Sequence, residues 1–291
     1  MKSLYDIPAP AKLNLFLHIT GRRSDGYHLL QSVFMLIDWC DTLHFDLRPN
    51  GKISREDLGP PLPVDDLIVR AARALQAASG CPLGAHIGIE KCIPSQAGMG
   101  GGSSDAASTL LALNQLWKLN FSREKLIQIG LQLGADVPFF LGGHNAWVEG
   151  IGEKMTPVSL PPSQFLVIKP ADGLDTKLIF SAPDLKRDSE TAIISGFAAD
   201  TFGFGRNDLQ SVAQRLCPGV TQALSWLEAQ GLSGRMTGSG SAVFAHVLHH
   251  VDLPSAPSAF RVRLCSSLDT HPLVGWANSD RLEKSLSVGS V

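Results

Sequence analysis

Hydrophobic and polar residues alternate with a period of two near the start of the chain. From Ala11 to Ile19 every odd-numbered residue is apolar, and Lys12 and Asn14 fall on the opposite face. The turn signal Ser24-Asp25-Gly26 follows, and after it come the apolar run 29–37 and a second alternation over 43–47. Because side chains of a strand point to opposite faces in turn, this opening predicts half-buried antiparallel β-structure.

A helical period appears further along, beginning after two aspartates. Asp65 and Asp66 precede apolar residues spaced three and four apart, and Gly80 ends the pattern. These are the signals of an N-capped helix with a glycine stop. The same reasoning predicts helices over about 103–117, 122–133, 208–216 and 221–229, and strands over 85–89, 145–151, 165–169 and 242–248.

The domain organisation follows from length and proline placement. A chain of 291 residues suits two domains that share a cleft. Pro157, Pro161 and Pro162 mark the predicted boundary. We therefore expect an N-terminal domain over 1–156 and a C-terminal domain over 157–291.

Composition excludes several classes of function. The formal net charge of -2 argues against a nucleic-acid-binding protein, which usually has a basic surface. Five cysteines without a CxxC pair favour a reducing cytoplasm over a disulfide framework or a zinc site. No run approaches the roughly 18 apolar residues of a membrane span.

A glycine-rich loop is the strongest local signal of chemistry. It reads Gly98-Met99-Gly100-Gly101-Gly102-Ser103-Ser104, and it lies between a predicted strand and a predicted helix. Glycines let backbone N–H groups approach phosphate oxygens, and a helix N-terminus adds partial positive charge. The loop has Ser103 where the Rossmann pattern needs glycine, and it lacks the Walker lysine. It is therefore a phosphate loop of a third kind, or else a turn that only caps a helix.

Asp136 and Lys12 are candidates for catalysis only when taken together. Asp136 is predicted to lie on an ordered irregular segment in Gly134-Ala135-Asp136-Val137-Pro138. Alone, such an aspartate is usually a turn or cap residue, and a lysine on a strand face is usually a solvated charge. Phosphoryl transfer needs both types, because a carboxylate accepts the hydroxyl proton while a lysine stabilises the phosphate charge.

Four motifs in this order resemble one family. They are Pro10-Ala11-Lys12-Leu13-Asn14-Leu15, the loop 98–105, Gly134-Ala135-Asp136-Val137-Pro138 and Thr237-Gly238-Ser239-Gly240-Ser241. The chain resembles the galactokinase, homoserine kinase and mevalonate kinase (GHMP) superfamily from about Pro8 to Ala245. Gly26-Tyr27-His28 makes it most similar to the members of isoprenoid precursor synthesis whose alcohol acceptor carries cytidine diphosphate.

The resemblance implies a fold, substrates and site residues. It implies a two-domain α+β fold, in which 1–156 is the ATP-binding and catalytic domain and 157–291 is the substrate-side domain, with the active site in the cleft between them. It also implies ATP with Mg²⁺ and a small-molecule cytidyl acceptor. Asp136 would be the base and Lys12 its charged partner. ATP would contact Pro94, Gly98, Met99, Gly100, Gly101, Gly102, Ser103 and Ser104, with Ser104 also near magnesium. The acceptor would contact Asn14, Tyr27, His28, Phe180 and Thr176, with Tyr27 and Phe180 on the cytosine faces and His28 at its edge.

Some features depart from the family or leave alternatives open. Asp66 and Asp175 stand where other residues are usual, and Asn207-Asp208-Leu209 matches a family segment without a derivable role. Another GHMP-type kinase, acting on homoserine, mevalonate or a sugar, and a non-catalytic nucleotide-binding regulator are the alternatives. His246, His249 and His250 lack the ligand spacing of a metal site. A monomer or weak homodimer in the cytoplasm, with no nucleic-acid or membrane partner, is expected.

Overall fold

The computed structural model describes residues 2–248 and 255–278, and these contain ten strands and eight helices. The strands are β1 Ser3–Arg22, β2 His28–Arg48, β3 Ile53–Asp57, β4 Gly84–Glu90, β5 Ala146–Glu149, β6 Lys154–Pro157, β7 Gln164–Pro170, β8 Gly234–Met236, β9 Val243–Val247 and β10 Phe260–Leu268. The helices are α1 Leu67–Ser79, α2 Gly101–Leu116, α3 Arg123–Gly130, α4 Val137–Gly142, α5 Thr176–Ser181, α6 Ile194–Ala199, α7 Gln210–Leu216 and α8 Pro218–Ala229.

The strands form one mixed sheet that runs through both halves of the chain. Its main path is β3-β4-β2-β10-β7-β9-β8, while β1 and β5 also pair with β2 and β6 pairs with β5. β10 joins the halves, because it pairs with β7 over seven positions and with β2 at Ile37 and Leu36. Beyond β10 the chain returns to the first half, where Leu273 and Ala277 enter the core formed by α1 to α4. The boundary near Pro157 stays a prediction.

β1 is longer than predicted and buried on both faces. Register shifts beside Pro10 and between Asn14 and Leu17 break the strict alternation. Two loops cover the edge of β1 that does not pair with β2. Lys12 N donates to Met99 O of the glycine-rich loop at 3.0 Å, and Asn14 N donates to Thr237 Oγ1 of the loop after β8 at 2.8 Å. The prediction of a half-buried strand was wrong here, because residues from distant parts of the chain also cover the face that carries the even-numbered side chains. On that face Phe16 packs against Trp147, Phe197 and Phe204.

The capping signals predicted some helix ends and missed others. α1 begins after Asp66, whose side chain accepts from Val69 N, and ends at Gly80 with φ of 63°, as predicted. α2 begins at Gly101 with Gly100 as its N-cap, two residues before the predicted start at about Ser103. α3 ends at Gly130 instead of about Leu133.

Several elements carried no usable sequence signal. The described residues contain seven elements that were not predicted: β3, β6, β8, β10, α4, α5 and α6. Three of the four strands among them hold five residues or fewer. Short segments contain too few positions to establish a period. No helix within the described ranges is both long and apolar enough to cross a membrane.

Candidate functional site

A cleft of about 1350 Å³ lies between the two halves of the chain. The first half contributes the middle of β1 and the starts of β2 and α2, and the second half contributes α5 and the loop after β8. The cleft wall includes these predicted site residues: Lys12, Asn14, Tyr27, His28, Pro94, Gly98, Met99, Gly100, Gly101, Gly102, Ser103, Asp136, Thr176 and Phe180. Ser104 does not line the cleft, since it is fully buried behind the wall.

Gly98 is required by packing between two loops. A Cβ atom on Gly98 would lie 2.3 Å from Thr237 O, and one on Gly238 would lie 2.6 Å from Gly98 O. Both glycines also have positive φ, at 71° and 52°. Real Cβ atoms essentially never come this close to backbone atoms, so two glycine-rich loops from opposite halves can stack here only without side chains.

The N-terminus of α2 provides donors for an anion. Ser104 N already bonds Gly100 O at 2.9 Å, whereas helix geometry leaves the N–H groups of Gly101, Gly102 and Ser103 without an intrahelical acceptor. The positive end of the helix dipole adds to their field. Because Gly102 is exposed to the cleft, its backbone can approach a phosphate group directly.

Gly102→Val tests this phosphate site. A Cβ at Gly102 would meet only Leu67 Cδ1, at 3.5 Å, so the fold should tolerate a side chain that projects into the cleft. A Cβ at Gly101 would instead press on the Ile93 side chain at 3.1 Å and would test packing. We expect the ATP dissociation constant of Gly102→Val to rise roughly tenfold to a hundredfold, from lost charge-assisted hydrogen bonds. Calorimetry measures the affinity and circular dichroism the fold.

Gly142→Val is the matched control for that experiment. Gly142 is also a helical glycine without positive φ, and no atom lies within 4 Å of its built Cβ. Gly142 lies outside the cleft wall, so the ATP affinity of the Gly142→Val protein should stay at the wild-type value. An unchanged affinity in a folded Gly102→Val protein would mean that this end of α2 does not bind phosphate.

Lys12 and Asp136 meet on one side of the cleft. Lys12 Nζ lies 3.8 Å from Asp136 Oδ2, and it donates a short hydrogen bond to Asn14 Oδ1. Asn14 Nδ2 in turn donates to Ser32 Oγ at 2.9 Å. Asp136 is the N-cap residue of α4 and makes no capping bond with its side chain, which corrects the predicted irregular segment. Its carboxylate is therefore free to act elsewhere.

Burial sets the electrostatics of this group. Lys12 is 4% exposed, and burial lowers the pKa of its ammonium, while the Asp136 charge opposes that shift. Its Nζ also lies 4.7 Å from the centroid of the Phe34 ring, in cation–π range. Asp136 keeps 35% of its side-chain surface exposed. A buried cation thus faces a carboxylate that a substrate can reach.

A second charged group underneath the phosphate loop was not predicted. Lys91 Nζ donates to Asp105 Oδ2 at 2.6 Å and also to Asp41, whose Oδ1 accepts from the backbone N–H groups of Cys92 and Ile93. Burial raises the pKa of Asp105 to about 8. Burial also lowers the pKa of Lys91, but the two aspartates outweigh it and the net shift is upward. The three residues are far apart in sequence, and no spacing rule connects them.

Aromatic residues also line the cleft and form a pocket in its wall. The His28 and Phe180 ring centroids lie 5.1 Å apart with their planes inclined by 42°. Tyr27 is 60% exposed in the structure. Thr176 Oγ1 and Ser239 Oγ lie 2.8 Å apart, which ties α5 to the loop after β8. Arg187, which sequence reasoning did not single out, donates to His28 Nε2 at 3.0 Å.

The structure explains the two aspartates that depart from the family pattern, Asp66 and Asp175, and the family segment Asn207-Asp208-Leu209. Asp66 and Asp175 cap α1 and α5, accepting from Val69 N and Lys177 N. Asn207 Nδ2 donates to Met236 O and Gly238 O, both at 2.8 Å. Asp208 Oδ2 accepts from Ile19 N at 2.8 Å. The segment 207–209 therefore holds the glycine-rich loop after β8 against β1.

The described residues hold no metal-binding group of three His, Cys, Asp or Glu side chains. His246 packs against Phe165 and Phe202, while His249 and His250 lie outside the described residues. All five cysteines are free, in agreement with the prediction.

Comparisons with known proteins decide the family. The GHMP kinases N terminal domain matches residues 66–144, and the GHMP kinases C terminal domain matches residues 192–262. A 4-diphosphocytidyl-2-C-methyl-D-erythritol kinase of Albidiferax ferrireducens is 83% identical over 290 residues, covering 100% of both chains. The chain belongs to the GHMP kinases. It is an ATP-dependent phosphotransferase, and the predicted family is confirmed.

Further relatives carry the same name or share the fold of this GHMP kinase. A 4-diphosphocytidyl-2-C-methyl-D-erythritol kinase of Acidovorax sp. is 67% identical, covering 95% of this chain and 99% of the relative. A crystal structure of 4-(cytidine 5'-diphospho)-2C-methyl-D-erythritol kinase is 32% identical with a TM-score of 0.74, covering 91% of this chain and 98% of its own. A homoserine kinase structure from Cytophaga hutchinsonii, 14% identical with a TM-score of 0.62, covers 93% of this chain and 96% of its own and shares the fold. The α+β fold is confirmed.

The residues of this GHMP kinase fit ATP at the N-terminus of α2. Free backbone donors and an exposed glycine suit a polyphosphate. Mg²⁺ usually keeps several waters and takes one or two protein ligands beside the phosphates. In the described part of the chain the Ser104 hydroxyl is buried without a hydrogen-bond partner, but Ser104 lies behind the cleft wall, so the predicted contact of Ser104 with magnesium does not fit this arrangement.

Proposed function

We propose that this kinase transfers the γ-phosphoryl group of ATP to the 2-hydroxyl of 4-diphosphocytidyl-2-C-methyl-D-erythritol, a step of non-mevalonate isoprenoid precursor synthesis. The observation that carries the proposal is the layout of the cleft. A phosphate loop and an aromatic pocket are both present in its wall, and the Lys12–Asp136 pair belongs to the same wall. The names of the relatives supply the acceptor.

In this proposal Asp136 and Lys12 divide the chemistry. The Asp136 carboxylate accepts the proton of the attacking hydroxyl, and its partly exposed position lets the acceptor reach it. The Lys12 ammonium stabilises negative charge that shifts toward the transferred group and the bridging oxygen. Asn14 holds the Lys12 ammonium through its Oδ1, so a contact with the acceptor would be additional to that role.

The remaining residues position the two substrates. The phosphates of ATP bind to the free backbone N–H groups of Gly101, Gly102 and Ser103. The shape of the loop around the phosphates is set by Pro94, Gly98, Met99 and Gly100. Bound magnesium would neutralise phosphate charge. Tyr27 and Phe180 would stack on the cytosine, and Thr176 would line its entrance. Cytoplasmic location and a monomer or weak homodimer stay predictions.

A panel of acceptors tests the proposal. ATP consumption should be rapid with the cytidyl acceptor and at background with plain methylerythritol, homoserine, mevalonate or galactose. Turnover of homoserine, mevalonate or galactose in place of the cytidyl form would favour another GHMP-type activity. Binding of ATP without turnover of any acceptor would instead favour a nucleotide-binding regulator. The acceptor panel and a calorimetric measurement of ATP binding together separate both alternatives from the proposal.

A further inference from the structure

Arg187 connects the two residues that form the aromatic pocket. It follows α5, and its guanidinium donates to His28 Nε2 at 3.0 Å. It also donates to Phe180 O at 3.2 Å, Ala182 O at 2.7 Å and Leu185 O at 3.0 Å. One side chain therefore holds the imidazole at the start of β2 and the turn that carries the Phe180 ring.

The bond from Arg187 determines where the imidazole keeps its proton. A guanidinium stays protonated at any ordinary pH and has donors only. Nε2 of His28 must therefore offer its lone pair, and the proton of the neutral ring must sit on Nδ1. Burial, Arg187 and Arg22 all lower the pKa of His28, so the ring stays neutral near pH 7. Within residues 2–248 and 255–278, Nδ1 has no hydrogen-bond partner of its own.

We propose that Arg187 is a positioning residue that fixes His28 as a donor at Nδ1 and thereby selects a pyrimidine whose ring nitrogen N3 is an acceptor. The inference rests on the proposed function, because it concerns the base of that acceptor. Arg187 touches His28 and the α5 turn, and it acts on the base only through them.

This arrangement distinguishes cytosine from uracil. N3 of cytosine carries a lone pair, whereas N3 of uracil carries a proton. A fixed Nδ1–H of His28 therefore donates a hydrogen bond to N3 of cytosine. Opposite uracil, the same Nδ1–H would meet the N3–H group, so that two donors face each other without an acceptor. Either base can stack on Phe180, so the Phe180 ring adds affinity for both bases and does not discriminate between them. A mismatched buried donor costs roughly 1–3 kcal/mol, which corresponds to about tenfold to a hundredfold in affinity.

The first test reads the tautomer directly, without substrate. Histidine side-chain ¹⁵N spectra of the labelled protein, with His28 assigned by its loss in His28→Gln, should show protonated Nδ1 and unprotonated Nε2 in wild type. In Arg187→Met the Nε2–H form should become dominant, and the pKa of His28 should rise. Protonated Nε2 in the neutral wild-type ring would overturn the proposal.

The second test compares the cytidyl acceptor with its uridyl analogue. Arg187→Met frees the ring to present a lone pair at Nδ1, so the cytidyl-to-uridyl ratio of kcat/KM should fall at least about tenfold, mainly through a lower KM for the uridyl form. Phe180→Ala should raise both KM values together and leave the ratio near wild type. An unchanged ratio in Arg187→Met, with both KM values raised equally, would mean that Arg187 only supports the turn.

Arg215→Met is the matched control. Arg215 bonds Asp184 at 2.7 Å, on the same turn after α5 that Arg187 holds, and in the described residues it makes no hydrogen bond with His28. Its variant should keep the wild-type tautomer and the wild-type ratio. If the wild-type enzyme does not phosphorylate the cytidyl acceptor, the proposed function is contradicted. The histidine ¹⁵N spectra would still report whether Arg187 sets the tautomer of His28.

Discussion

Asp136→Asn should lower kcat by about a hundredfold or more, with little change in ATP affinity. An amide of the same shape cannot accept the hydroxyl proton, and general-base catalysis contributes about 10² to 10⁴ in rate. Asp136 makes no capping bond and is partly exposed, so the substitution should not disturb α4. The measurement is steady-state kinetics with both substrates varied, together with calorimetry for ATP.

The control for this variant is Asp184→Asn. Asp184 is an exposed aspartate that bonds Arg215 and lies outside the cleft wall, so its loss should leave kcat unchanged. Near-normal turnover by folded Asp136→Asn would remove this carboxylate from the mechanism. Since phosphoryl transfer passes through a loose transition state, a smaller loss with an altered acceptor KM would indicate positioning in place of proton removal.

Lys12→Met should lower kcat by about 10² to 10³. Removal of one preorganised donor to developing charge typically costs this much, and methionine keeps the length and apolar contacts of the lysine stem. Replacing a buried cation by an apolar group of similar volume is often tolerated by the fold. Asp136 keeps solvent contact, so it is not left as a buried unpaired charge. Kinetics and thermal unfolding on the same samples separate the two effects.

Lys169→Met gives the contrasting result. Lys169 is also nearly buried, but its ammonium donates to Pro170 O and Asp172 O, outside the catalytic pair. Its loss leaves two carbonyl groups without their donor, so the unfolding midpoint should fall while kcat stays near wild type. If Lys12→Met lost only stability and kept kcat, Lys12 would be structural as well.

The double variant tests whether the pair acts as a unit. Residues that serve one step show losses that do not multiply. Lys12→Met combined with Asp136→Asn should therefore lose less activity than the product of the single losses. A strictly multiplicative loss would indicate that the two residues contribute independently.

Local sequence signals determined those features whose causes are local. Asp66 and Gly80 predicted both ends of α1, because a cap depends on residues within one turn. The period of two predicted the strands at the start of the chain. The order of the motifs indicated the family, and Lys12, Asp136 and the glycine loop were selected for the chemistry of phosphoryl transfer.

Tertiary structure alone decided the features that depend on distant contacts. Gly98 and Gly238 are separated by 140 positions, and only their stacking explains why neither tolerates a Cβ atom. The burial of Phe16 on β1 likewise depends on distant residues, because Trp147, Phe197 and Phe204 pack against its ring. Lys91 meets Asp41 and Asp105, and Arg187 meets His28, across separations for which sequence has no period. A sequence pattern records the preference of each residue for its neighbours, whereas hydrogen-bond partners and burial arise only when the chain closes on itself.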